Sequence, residues 1–358
     1  MVETSIDLGF IEECEPWLLV NKFFPSKVGG KPAWLDLKNI PKAKELECPH
    51  CNEPLVFLCQ IYASNDEKEH CFHRTIFVFI CRNGNCYKAN DASTIRVFRS
   101  QLPLKNEFYS VKPPDESVES PPVKSPVRLC RVCGCHAFAC CSKCKKEFYC
   151  TISHQKADWK ARHRKECMDG VKVDDWENNL LFPEFELVIE EEILDEKPIE
   201  TPEEAEKRRL REYEELVKKN QAGELSEIPL TEMEKYVDES DEDKAFTAFR
   251  ERISKNKDQV VRYDRGGKPL WITSKNQIPI EDVPKCPICN GTRDFEFQIM
   301  PQLLNTLKHP ELDWGIISVF TCAQDCDIGE RYVQEFVYKQ DIVKEEDENK
   351  IITENESE

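Results

Sequence analysis

The chain is 358 residues long, 40% hydrophobic and 33% charged, with a formal net charge of -18, a length that suits two or three domains joined by solvated segments. Its longest apolar run, Ile76 to Cys81, is far below the roughly 20 residues that cross a bilayer, and Met1-Val2-Glu3-Thr4-Ser5 lacks a secretory leader, so the expectation is an intracellular chain with no membrane segment. Its 19 cysteines, many in C-x-x-C pairs, then point to metal ligation in place of disulfides, with zinc the ion that suits thiolate and imidazole.

The first unit, residues 1–111, carries Gly29-Gly30-Lys31-Pro32-Ala33-Trp34, the knuckle Cys48-Pro49-His50-Cys51, and two strand-like runs, Val56–Ile61 and Ile76–Cys81, with Cys86 beyond. A proline-rich stretch at 112–127, with five prolines from Lys112 to Pro126, reads as a spacer that isolates the next module from the first unit. Residues 128–168 form the densest cysteine and histidine cluster. Residues 171–250 hold 26 acids against 11 bases, so the segment 169–257 reads as an acidic linker, partly helical. Within it Thr201-Pro202-Glu203-Glu204 offers a helix start and Gly223 a stop, Thr231 with Glu234 repeats the start signal, and the block Asp238–Asp243 is expected to stay solvated.

Residues 258–342 repeat the first unit. Gly266-Gly267-Lys268-Pro269-Leu270-Trp271 lies 237 positions after its counterpart, and Cys286-Pro287-Ile288-Cys289 lies 238 after Cys48–Cys51. Asp294–Ile299 corresponds to Val56–Ile61, and Ile316–Cys322 with Cys326 corresponds to Ile76–Cys81 with Cys86, all in the same order. A second acidic block, 343–358, closes the chain. The expected class is α+β: two pseudo-repeated β-rich halves, each a small zinc-containing unit, with the cysteine-rich module and the acidic linker inserted between them. In each half two knuckles would grip one ion, Cys48, Cys51, Cys81 and Cys86 in the first and Cys286, Cys289, Cys322 and Cys326 in the second. His50 and His73 are possible substitutes as ligands, and Cys14, Cys59 and Cys71 receive no role.

The central module reads Cys130-x2-Cys133-x7-Cys141-x2-Cys144-x5-Cys150-x3-His154-x8-His163-x3-Cys167, eight donors in 38 residues, enough for two tetrahedral sites and with too little apolar material for a core of its own. His163 and Cys167 stand four apart on a helical stretch, Ser153–Glu166, so both can face one ion. With Tyr149, Gln155 and Trp159 in register, the module resembles the MYND finger. That resemblance implies interleaved ligation: Cys130, Cys133, Cys150 and His154 on one zinc, Cys141, Cys144, His163 and Cys167 on the other. His154 stands where most such fingers have cysteine, Cys140 in place of Cys141 is an open register, and Cys135 is spare. Ten bases against three acids make the module +7 by side-chain count, nearer +5 with two zincs. It lacks an aromatic platform for bases, so direct nucleic-acid binding is not the expected role.

Across nearly its whole length the chain resembles the programmed cell death protein 2 family, through Leu8-Gly9-Phe10, Val28–Leu35, Phe98–Leu102, the finger, Phe297–Leu304 and Trp314-Gly315-Ile316. The two halves resemble that family's TYPP domain. The resemblance implies a dedicated chaperone that escorts a newly made, basic small-subunit ribosomal protein towards ribosome assembly in cytoplasm and nucleus. The alternative is a nuclear adaptor whose finger recruits proline-containing peptides of corepressors. Catalysis is not expected, because no nucleophile set stands apart from the metal donors and four protein ligands per site leave no open position for water. A client would be bound in a groove between the halves by strand addition or apolar packing.

Overall fold

The computed structural model describes residues 6–173, 176, 178–193 and 241–342. The runs rich in Val, Ile and Phe form strands: β1 (Asp7–Glu12), β2 (Lys27–Val28), β3 (Val56–Tyr62), β4 (His73–Ile80) and β5 (Ile95–Leu102) in the first part of the chain. The central module adds a hairpin, β6 (Ala139–Cys140) and β7 (Phe148–Tyr149), then α1 (Ile152–Asp158), a π turn (Trp159–His163) and α2 (Arg164–Asp169). Next come β8 (Phe185–Glu191), α3 (Asp241–Ser254), β9 (Val261–Tyr263), β10 (Arg293–Ile299), α4 (Leu304–Leu307), β11 (Ile316–Cys322) and β12 (Tyr332–Gln340). The expected helices at 201 and 231 lie outside the described residues, as does the tail 343–358.

The architecture corrects the sequence reading in three ways. The class is mostly β, and the halves are not separate units: ten strands close one barrel in the order β1-β8-β2-β3-β4-β5-β12-β11-β10-β9, with β9 returning to β1. Antiparallel pairing of β5 with β12 joins the halves on one side, and β1 with β9 joins them on the other. Part of the supposed linker is structural, because β8 falls inside it and lies between β1 and β2. Nor does the proline-rich stretch isolate the finger. Asn21 Nδ2 donates to Val123 O and its Oδ1 accepts from Val123 N, both at 2.9 Å, while Ser125 Oγ donates to Leu37 O at 2.7 Å.

Strands buried on both faces need not alternate, which is why Ile76–Ile80 of β4 is a continuous apolar run and β11 is broken only by Ser318 and Thr321. One set of side chains, including Leu58, Ile76, Val78, Val97, Phe297 and Val319, fills the barrel. The other set, Phe57, Phe77, Phe79 and Phe98, joins Trp34 and the finger residues Val132, Ala137 and Tyr149 in a second cluster outside it. The halves share local devices. Gln60 brackets the main chain of Ala33, accepting from its N–H at 2.9 Å, and Gln298 does the same to Leu270 at 2.6 Å. The register also slips by one residue at Phe57/Cys59 in one half and at Phe295/Phe297 in the other.

Charges are buried where the halves meet. Arg74 on β4 forks onto Glu296 of β10, both fully buried, and Glu296 also accepts from Tyr263 Oη at 3.0 Å. Arg99 on β5 binds Glu335 of β12 at 2.6 Å, and Arg293 takes the other carboxylate oxygen at 2.7 Å. Glu192, inside the supposed linker and just after β8, is buried between Arg252 at 2.6 Å and Arg262 at 2.9 Å. Burial pushes the Glu296 carboxyl up, but the Arg74 guanidinium outweighs it and holds the group below its ordinary range; burial against nearby arginines has the same net result at Glu192 and Asp325. These acids bind protons less readily folded than unfolded, so their stabilisation is complete above the ordinary carboxyl range, about pH 4, and is lost as the pH falls through the depressed values. Removing one member strands a buried charge: Glu296→Leu is expected to cost about 3–5 kcal/mol in denaturant unfolding, and adding Arg74→Met should restore part of that loss. A double variant no more stable than the single one would show that the pair is not what the site depends on.

Candidate metal centres

Four turns of one kind hold the knuckles. In each, the residue four after the first cysteine donates its N–H to that cysteine's carbonyl: Asn52 to Cys48 at 3.0 Å, Gly134 to Cys130 at 2.8 Å, and Lys145 to Cys141 and Asn290 to Cys286 at 2.9 Å. All four donors have positive φ, between 55° and 72°, a conformation that suits glycine and asparagine and costs lysine most. The turn bends the chain so that both thiols of a pair point into the same space.

Partners arrive from distant segments. Cys81 follows β4 and Cys86 ends a short 3-10 turn, while Cys322 ends β11 and Cys326 lies just beyond it. In the finger, Thr151 caps α1 by accepting from His154 N at 3.1 Å, which sets His154 one turn beyond Cys150. The π turn then resets the helix phase before His163, so that one helical run serves two sites. Gly170, left-handed, closes the run after Cys167.

The structure brings together the four donor atoms of each sequence-derived set: Cys48, Cys51, Cys81, Cys86; Cys130, Cys133, Cys150, His154; Cys141, Cys144, His163, Cys167; and Cys286, Cys289, Cys322, Cys326. Within each set the atoms lie inside 4.8 Å of one another. A tetrahedron with Zn–S of about 2.3 Å and Zn–N of about 2.0–2.1 Å has S···S edges of about 3.8 Å and S···N edges of about 3.5 Å. Observed sulfur pairs fit: 3.7 Å for Cys51–Cys81 and Cys286–Cys326, 3.6 Å for Cys289–Cys322, 3.5 Å for Cys133–Cys150 and 4.0 Å for Cys141–Cys167. His154 presents Nδ1, 3.6 Å from Cys130 Sγ, and His163 presents Nε2, 3.5 Å from Cys144 Sγ. All 19 cysteines are free of disulfides. Donor type, number and edge length therefore suit zinc in all four sets.

Surrounding groups orient the donors. The free nitrogen of His163, Nδ1, faces Glu166 at 3.8 Å and Arg131 at 3.3 Å, an outer contact of the kind that fixes a ligand imidazole. Arg99 reaches from β5 to Cys326 Sγ at 3.9 Å, placing a cation beside an anionic four-thiolate set. Sequence reasoning missed this partner, because a single arginine within a strand carries no motif. His50 and His73 stay outside the clusters: His50 meets Ser93 Oγ at 2.7 Å, and His73 stacks on Phe24 and meets Tyr62 Oη at 2.8 Å. Burial lowers the His73 pKa to about 4, so its ring is neutral at physiological pH. Cys59 lies in the barrel interior, Cys71 and Cys135 are buried, Cys14 is half-buried, and Cys140 is exposed.

The finger is seated on the barrel by Trp34, whose Nε1 donates to Gly134 O at 2.8 Å. Two interleaved clusters on a hairpin and a helix, carried on a barrel that holds two more, make this a MYND-finger protein with additional cysteine centres. Residues 130–167 match the model of the MYND finger, residues 5–116 that of the programmed cell death protein 2 N-terminal domain, and residues 243–343 that of its C-terminal putative domain. The chain is 42% identical to programmed cell death protein 2 of rat over 357 residues, covering 96% of this chain and 98% of that one, and 43% identical to the mouse protein over 351 residues, covering 94% and 96%. A fission yeast protein named probable 20S rRNA accumulation protein 4 is 36% identical over 95 residues, 24% of each chain. The chain belongs to the programmed cell death protein 2 family.

Because Cys141 lies within its cluster and Cys140 points to solvent, the two cysteines separate by substitution. Elemental analysis of Cys141→Ser should find one metal ion fewer per chain than the parent, and Cys140→Ser should match the parent. The reverse pattern would place Cys140 in the site.

Proposed function

We propose that this chain is a non-catalytic zinc protein that escorts a newly made, basic small-subunit ribosomal protein in cytoplasm and nucleus, with zinc in all four clusters. Four protein donors at every cluster leave no coordination position for a substrate, which supports a binding role over a reaction centre. The family membership and the 20S rRNA accumulation in the name of the fission yeast relative support a connection with ribosome production. The repeated glutamine brackets and register slips support reading the halves as duplicates of one unit.

The observation that carries the basic-partner reading is the register of β1 on β8. It sets Asp7 directly opposite Glu191 and Glu12 directly opposite Glu186, two acid–acid pairs on neighbouring strands. Like charges in that position are destabilising. No ion pair with a cation relieves any of the four among the described residues. Burial, then the Glu191 charge, raises the Asp7 pKa. A basic partner would remove this repulsion. Closure of the barrel uses up most sheet edges, but β8 keeps part of one. Its pairing with β2 stops at Glu186, with Leu187 N bonded to Ser26 O at 3.0 Å, while its pairing with β1 runs on to Glu191. By alternation Ile189 and Glu191 turn their main-chain groups to that outer edge, where an extended basic segment could add as a strand.

One substitution separates binding from stability. Glu12→Lys turns a repulsive pair into an attractive one, so unfolding should become harder by about 0.2–1 kcal/mol while a tagged chain recovers less of its copurifying ribosomal protein. Unchanged recovery would remove this face from client binding. The adaptor reading has its own support in Phe138 and Ile152, 70% and 65% exposed on the finger. Loss of a spread of transcription regulators on deleting the finger, with no stoichiometric ribosomal protein in the parent preparation, would favour it.

A further inference from the structure

The first knuckle of the finger is gripped from outside the finger. Three of its carbonyls accept from side chains beyond residues 128–168: Arg131 O from Lys31 Nζ at 2.8 Å, Val132 O from Asn178 Nδ2 at 3.0 Å and Gly134 O from Trp34 Nε1 at 2.8 Å. Val132 itself is fully buried, in the cluster that holds Trp34, Cys130, Cys133 and Cys150. Lys31 and Trp34 both belong to the repeated motif Gly29-Gly30-Lys31-Pro32-Ala33-Trp34. Lys27 Nζ fixes that motif by donating to Lys31 O at 3.0 Å, and Gly30 N donates to Phe182 O at 3.0 Å, which brings the Asn178 segment alongside.

The sequence carries a trace of the grip. Directly after their second cysteine the other three knuckles have Asn52, Lys145 and Asn290, whereas this one has glycine. Gly134 adopts a φ of 72°, and a Cβ there would lie 3.1 Å from Lys31 Cβ, so glycine serves both the turn and the close approach of the barrel. The Cys141 knuckle is bonded to the finger itself: Cys141 N donates to Glu147 O and Lys145 N to Cys141 O, both at 2.9 Å. Holding the carbonyls on either side of a metal-binding thiol limits where that thiol can point, and outer contacts of this kind set how tightly a site grips its metal.

We propose that Lys31, Asn178 and Trp34 are positioning residues of the centre formed by Cys130, Cys133, Cys150 and His154, so that metal binding there and seating of the finger on the barrel stabilise each other. The coupling is reciprocal, since whatever tightens the seat tightens the metal by the same factor. This rests on the reading that zinc fills the cluster, and goes beyond it by making the barrel part of the finger's site. Alkylation of cysteines in the zinc-loaded full chain after addition of a chelator, resolved by peptide mass spectrometry, follows metal loss at each cluster separately. In the double variant Lys31→Met with Asn178→Ala, Cys130, Cys133 and Cys150 should be labelled about tenfold faster than in the parent, the lower end of what losing outer contacts costs a metal site. Cys286, Cys289, Cys322 and Cys326 should keep their parent rates. Lys31→Arg, which retains a donor for Arg131 O, should label at the parent rate throughout. Unchanged labelling of the first finger cluster in the double variant, or equal acceleration of the Cys286 set, would overturn the proposal. Labelling of Cys130, Cys133 and Cys150 in the parent before any chelator is added would mark a failure of the zinc reading itself.

Discussion

Buried arginine–carboxylate pairs between the first and last thirds of the chain are the constraint on which the rest depends. A barrel assembled from segments more than 200 residues apart needs something to fix the register of β5 against β12 and of β4 towards β10, and apolar packing alone is indifferent to a slip of two residues. Arg74 with Glu296 and Arg99 with Glu335 are not indifferent, since any other register leaves a charge buried and unpaired. The cysteine knuckles extend the same logic. The loop after Cys322 is held by the other half: Asp325 meets Arg74 at 2.9 Å and accepts from Asn65 Nδ2 at 2.8 Å, and its carbonyl meets His70 Nε2 at 2.7 Å. The loop after Cys86 is held in turn by Asp341 and by Lys339, whose Nζ donates to Lys88 O at 3.0 Å. These two loops are thus struts between the halves.

That arrangement gives the finger a rigid seat. Trp34 and the outer phenylalanines of β3, β4 and β5 form one cluster with it, and Asn21 holds the connecting segment at Val123, so the finger and the barrel present one continuous surface. The surface is divided by charge. The β1–β8 face carries two acid–acid pairs with no ion-pair partner among the described residues, and the finger is basic with its own acids turned inward. On the proposed reading, the acidic side is the one that would receive a basic partner.

The two barrel sets were legible in the sequence because C-x-x-C followed by Asn marks a local turn and recurrence at an offset of about 240 residues pairs the knuckles, whereas the interleaving of the two finger sets came only from the resemblance to the MYND finger. The strands around Val56, Ile76, Asp294 and Ile316 were legible from composition. Closure into one barrel was not, since pairing of β5 with β12 depends on contacts across more than 200 residues that leave no periodic trace. β8 was hidden because Glu184, Glu186, Glu190 and Glu191 mask the alternation of Phe185, Leu187 and Ile189 and make the segment look like the acidic run it adjoins. Arg74, Arg99 and Glu192 gave no sign of their burial, although the first two lie wholly inside and Glu192 nearly so, because nothing in a single sequence marks a charge as paired across the chain.

Hydrogen exchange of a Cys286→Ser variant against the parent tests most directly whether each cysteine loop braces the opposite half. If the second-half loop is a strut, loss of one thiolate should accelerate exchange at residues 63–72 and along β4 and β5, far away in sequence, and leave the finger near its parent rate. Acceleration confined to residues 284–328 would show that the halves hold together without their metal-binding loops, and would contradict the account.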